Sequence, residues 1–164
     1  MAGRMKIHEW HIVISGFLQR QGNLNGMDKI WDLAEIRAKS RPDARAMIYP
    51  WHCDVADIAE LINRKRDPDT MPVVNLYGYS WGGMTCVNLA EQLRDSEIDV
   101  RTMVLSDAVY RHWHRGGQWR TFLPMSIYIP DNVKQVVHFK QRENWPFGHT
   151  LVAKNPGMTD MAPM

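Results

Sequence analysis

The stretch VVNLYGYSWGGMTCVNLAEQL, residues 73–93, decides the reading of this chain. Val73–Tyr77 is a short β-rich apolar run. From Gly83 to about Arg94 the apolar residues Val87, Leu89, Ala90 and Leu93 follow a helical pattern. Between them stand Gly78, Tyr79, Ser80, Trp81, Gly82 and Gly83. A serine therefore sits where a predicted strand turns directly into a predicted helix, with a glycine two places before it and two after.

Working outward, strands and helices alternate. His11–Ser15 reads as a first strand, and the polar, glycine-punctuated segment 16–26 as a loop. Met27, Ile30, Trp31, Ala34 and Ala38 predict a helix to Lys39, ended by Arg41-Pro42-Asp43. Residues 44–50 read as a second strand. Asp54 is a plausible N-cap for a second helix with Val55, Ile58, Leu61 and Ile62 on one face. Residues 100–106 and 133–141 predict a fourth and a fifth strand, separated by an irregular segment, 108–132. No element is predicted after 141, and residues 150–164 read as a loose tail of a single domain, 1–164. The alternation predicts an α/β fold: three layers, α/β/α, around a mostly parallel sheet of about five strands. A spatial order second, first, third, fourth, fifth makes the first and third strands neighbours and puts a ligand-binding crevice between their carboxyl ends.

GYSWG fits the G-x-S-x-G pattern of a nucleophile elbow. A serine on a sharp strand-to-helix turn needs small residues on both sides, because helix and strand backbones pass close there. Gly78 and Gly82 meet that need. The helix N-terminus directs its amides and its positive dipole end at developing negative charge. The competing reading is a glycine-rich turn with a bystander serine.

A serine hydroxyl needs a base to become a nucleophile. Candidate oxyanion donors are the backbone N–H groups of Trp81, just after the serine, and of Phe17 in the loop after the first strand, with Leu18 as fallback. Asp107, directly after the fourth strand, is the candidate acid; Asp131 and Glu143 are rivals. Of seven histidines, His149 is the candidate base, because it follows the fifth strand in the order Ser, Asp, His. His8 and His11 belong to the start of the first strand, His52 follows the second, His112 and His114 lie in the irregular segment, and His138 reads as a packed strand residue.

The pieces HIVISGF, AMIYPW, VVNLYGYSWGGMTCVNLAEQL, TMVLSDAVYR and IPDNVKQVVHFKQ, in that order, resemble the α/β-hydrolase superfamily in its small lipase- and esterase-like forms. The resemblance covers most of residues 10–141. It implies Ser80 as nucleophile, Asp107 as acid, the Phe17 and Trp81 amides as oxyanion hole, and hydrolysis of an ester or similar acyl bond. Members of the family usually close with a helix after the last strand, and no such helix is predicted here. Two readings follow. His149 is the base of a minimal enzyme, or the chain is an inactive or truncated hydrolase-like domain used for binding or assembly. The sheet face that the last helix would share with the first helix is then under-covered, which predicts a homo-oligomer through that face or marginal stability.

Composition bounds the partners. A net charge of +2 with mixed signs gives no argument for nucleic acid. No apolar run approaches the ~20 residues of a membrane-spanning helix, and no signal peptide is visible at the N-terminus. Two cysteines without metal-like spacing suit a reducing, cytoplasmic setting. No cofactor is called for, and HWH at 112–114 is the only hint of metal ligands, with no third in sight. The seven tryptophans are numerous for this length. Trp51 after the second strand and Trp113 in the irregular segment, with Leu18, are candidate walls of a pocket for a small ester or lipid-like substrate, as Trp119 and Trp145 are for its rim. Arg111, Arg115 and Arg120 would favour an anionic one.

Overall fold

The computed structural model describes residues 7–17, 19, 26–67, 69–109, 125–140 and 148–163. The elements in chain order are β1 (Glu9–Ile14), α1 (Gly26–Lys39), β2 (Ala44–Tyr49), α2 (Val55–Lys65), β3 (Val73–Tyr79), α3 (Trp81–Arg94), β4 (Val100–Ser106), β5 (Ser126–Ile129), β6 (Val133–Phe139), β7 (Thr150–Ala153) and β8 (Asp160–Pro163). Six strands form one sheet in the order β2-β1-β3-β4-β6-β8, and β5 and β7 form a separate pair. Every ladder is parallel. The fold is α/β, with helices on both faces of a parallel sheet.

Successive side chains of a strand point to opposite faces, and β1 shows the consequence. Trp10, Ile12 and Ile14 enter a core cluster with Ile58 and Ile62 of α2 and Leu89 and Leu93 of α3. His11, on the opposite face, meets α1. Both faces of β1 are covered, which is why all six of its residues are buried. Asp54 caps α2 through its carboxylate, which accepts the Ala56 N–H at 2.9 Å.

The sheet has one strand more than the sequence predicts, and the segment read as a loose tail, 150–164, holds two of the strands, β7 and β8. The segment read as irregular, 108–132, contains β5. These strands are four residues long, too short to show a period, and parallel pairing brings each its partner from far along the chain. Thr159 fastens the last one by donating its hydroxyl to the Val133 carbonyl at 2.8 Å. The Lys154 N–H donates to the Ile129 carbonyl just past the β5–β7 pair. Among the described residues no helix follows α3, and α1 lies over β1 and β2. None of their helices is long and apolar enough to cross a membrane.

Candidate active site

β3 runs two residues further than its apolar run, to Tyr79, and α3 starts at Trp81. Ser80 is thus the single residue between strand and helix. Its backbone takes φ 53, ψ −123, a region that costs a non-glycine residue about 1–3 kcal/mol. The glycines explain how the turn fits. A Cβ on Gly78 would lie 2.8 Å from both Cys86 Sγ and the Gly83 Cα. A Cβ on Gly82 would collide with the Ile14 and Ser15 carbonyl oxygens. The helix therefore starts directly on top of β3 and against the end of β1.

Two backbone hydrogen bonds extend the sheet one residue beyond its strands. The Ser80 N–H donates to the Ser106 carbonyl at 3.0 Å, and the Asp107 N–H to the Phe139 carbonyl at 2.8 Å. Asp107 then turns with φ 46 and is buried. The next residues close the site: the Val109 N–H donates to the Ser80 carbonyl at 3.1 Å, and the His149 N–H to the Ala108 carbonyl at 2.7 Å. Gly148 packs on Asp107, where a Cβ would lie 2.9 Å from the Asp107 Cα. Ser80, Asp107 and His149 come from three separate segments and are gathered at the carboxyl edge of the sheet by backbone contacts within 107–109. His149 is buried, not a loose surface histidine.

The loop after β1 reaches the same place. A Cβ on Gly16 would lie 3.1 Å from Ser80 Cβ, so Phe17 is one residue from contact with the turn. Its ring meets those of Trp81 (centroids 4.7 Å apart) and Trp51 (5.8 Å), and Trp51 meets Trp81 at 4.8 Å. Thr85 fixes this group by donating its hydroxyl to the Trp51 carbonyl at 2.6 Å. Phe17 stays half exposed. The result is an aromatic wall beside Ser80, on the switch-point crevice between β1 and β3. Among the first helical residues, the Trp81 N–H belongs to those with no acceptor inside the helix.

Other candidates fall elsewhere. Asp131 precedes β6, at the amino edge of the sheet, where its carboxylate pairs with Arg94 at 3.8 Å; the site lies at the opposite edge. His8 stands at the amino end of β1, and its N–H donates to the Asp43 carbonyl. His11 points to the α1 face. His52 meets the Trp51 ring edge-on, with centroids 5.1 Å apart. His138 pairs with Leu105 across the ladder; burial, and then Lys140, lower its pKa, with Asp107 opposing. Leu18, Arg111, His112, Trp113, His114, Arg115, Trp119, Arg120, Glu143 and Trp145 lie outside the described residues. Among the described residues no group of three or more His, Cys, Asp or Glu is placed to hold a metal ion.

Sequence reasoning missed the covalently silent part of the site: Ala108 and Val109, whose backbone ties His149 and Ser80 together. Nothing in their side chains marks them. No family model matches the chain, and no match was found among curated proteins or solved structures.

Proposed function

We propose that the protein is a serine hydrolase of the α/β-hydrolase type that cleaves a carboxylic ester through an acyl-enzyme on Ser80. The observation that carries this reading is the Ser80 backbone: a strained φ 53, ψ −123 turn, alone between strand and helix, with Gly78 and Gly82 packed beneath it. Strain of this kind persists only where the surroundings over-determine it, and it concentrates at functional sites.

In the proposed reaction the Ser80 hydroxyl attacks the ester carbonyl while His149 takes its proton. The tetrahedral oxyanion is met by the N–H groups of Trp81 and Phe17, with the α3 N-terminus adding its dipole. His149 then gives the proton to the leaving alcohol. Water, deprotonated by the same imidazole, releases the acid. Asp107 holds the imidazole in the productive tautomer and balances its positive charge. The Phe17, Trp51 and Trp81 rings provide an apolar surface for an acyl chain or ring beside the reacting carbon. No cofactor enters these steps, and a chain with only two cysteines, Cys53 and Cys86, fits a reducing cytoplasmic setting.

A fluorophosphonate probe tests the reading. Wild type is expected to be labelled at Ser80 and Ser80→Ala not at all. A wild-type protein that stays unlabelled at high probe concentration would instead be a hydrolase-like domain used for binding or assembly.

A further inference from the structure

The face of the sheet under α1 holds a groove of about 300 Å³ that does not involve Ser80. That size is at the lower end of small-molecule sites, ~300–1,000 Å³. Its walls are apolar: Ile30, Leu33 and Ala34 on α1, and Val104 on β4. Leu33 is 68 % exposed, and it adds an apolar lip. The remaining lining residues are His11, Tyr77 and Arg37.

The polar groups have definite charges. His11 is 3 % exposed, and burial, its largest influence, lowers its pKa, which favours the uncharged imidazole. Its Nδ1 lies 3.2 Å from the Tyr77 hydroxyl. Its Nε2 lies 3.2 Å from the buried Glu9 carboxylate, which is engaged by Arg41 at 2.6 Å and by Arg37 at 3.5 Å. Glu9 is buried and is not among the lining residues. Arg101 adds a further positive potential felt at His11. The lining contains one full charge, the Arg37 guanidinium, whose side chain is 61 % exposed, and no carboxylate.

We propose that this groove binds an amphiphilic monocarboxylate, an aliphatic acid of medium chain length. The chain lies along Ile30, Leu33, Ala34 and Val104, and the carboxylate meets Arg37 at the mouth through a charge-assisted hydrogen bond. A neutral imidazole and a phenol at the floor neither repel the anion nor attract a cation. The site is distinct from the aromatic wall beside Ser80 and does not depend on the hydrolase reading.

The test uses the full chain, decanoate as probe, and decanol and decyltrimethylammonium as its neutral and cationic counterparts, all below micelle formation. Calorimetry is expected to show decanoate binding about tenfold tighter than decanol, with no binding of the ammonium. Arg37→Gln is expected to bring decanoate down to the decanol affinity. Leu33→Glu, at an exposed position that folding tolerates, is expected to weaken it about tenfold or more. Methyl NMR on the unmodified protein locates the site independently of any variant: the Ile30, Leu33 and Val104 methyl signals shift, and the Trp51 and Trp81 indole signals do not. No decanoate binding, equal binding of the ammonium, full affinity in both variants, or shifts confined to the indoles would each overturn the proposal. So would a dimer that dissociates in Leu33→Glu and excludes decanoate, which would make a second copy of this chain the occupant.

Discussion

The backbone N–H of Val109 donates to the carbonyl oxygen of Ser80 at 3.1 Å. Through this bond the segment that carries Asp107 is fastened to the turn that carries the serine. One residue earlier, Ala108 accepts the His149 N–H. The three residues of the proposed mechanism are thus tied together by main-chain hydrogen bonds, which side-chain substitution leaves in place. Each can be changed without dismantling the frame.

Ser80→Gly separates strain from chemistry. Glycine takes φ 53, ψ −123 without a Cβ clash, whereas Ser80→Ala keeps the clash. The glycine variant is expected to be about 1 kcal/mol more stable than the alanine variant, with probe labelling lost in both. Urea denaturation reads the difference; equal midpoints would show the turn to be unstrained.

Gly82→Ala places a methyl group against the Ile14 and Ser15 carbonyls, which are backbone and cannot rotate away. A loss of about 3 kcal/mol is expected, at the upper end of overpacking effects. Gly26→Ala is the control, since among the described residues nothing beyond its own neighbours lies within 4 Å of its Cβ position; its change should stay within about 0.5 kcal/mol. Thermal or urea unfolding of the pair decides.

Asp107→Asn preserves a residue type that tolerates φ 46 but removes the charge that would hold His149. His149→Gln leaves the N–H to Ala108 intact. Each is expected to lower kcat/KM for a p-nitrophenyl ester by about 10³-fold or more with unchanged circular dichroism. Asp131→Asn, at the far edge of the sheet, should retain wild-type rates. Full activity in Asp107→Asn would remove Asp107 from the acid role.

Stability should fall as pH drops below the ordinary histidine value of 6.5. Burial lowers the folded-state pKa of both His11 and His138, so below 6.5 the unfolded chain takes up protons that the folded chain refuses. Their contribution is complete above 6.5 and is lost as pH falls toward the lowered folded values. Glu9 opposes the shift at His11 and Asp107 that at His138; Arg37, Arg101 and Lys140 reinforce it. Denaturant midpoints between pH 5 and 8 should show this slope in wild type and a shallower one in a His11→Gln, His138→Gln double variant.

The parts legible in sequence were those whose signal is local. β4 falls on 100–106 as its β-rich run predicts, and Asp54 caps α2 as its position before Val55 predicts. α3 begins two residues before its apolar pattern, and its second residue, Gly82, sits where a Cβ would collide with the Ile14 and Ser15 carbonyls. β8, sequence DMAP, carries a proline and no alternation, so nothing local marks it as a strand. It exists because β6 offers a free edge and Thr159 anchors to Val133.

The sequence alone determined the alternation of strands and helices and the placing of one serine between Gly78 and Gly82, because hydrophobic period and steric need are properties of neighbours along the chain. Only the tertiary structure decided that Ser80, Asp107 and His149 share one edge, that Asp131 stands at the other, and that Asp160–Pro163 adds a strand beside β6. Those outcomes rest on hydrogen bonds between segments far apart in sequence, such as His149 to Ala108 and Val109 to Ser80. A backbone N–H is the same in every residue that has one, so its partner is chosen by the fold and leaves no mark in the letters.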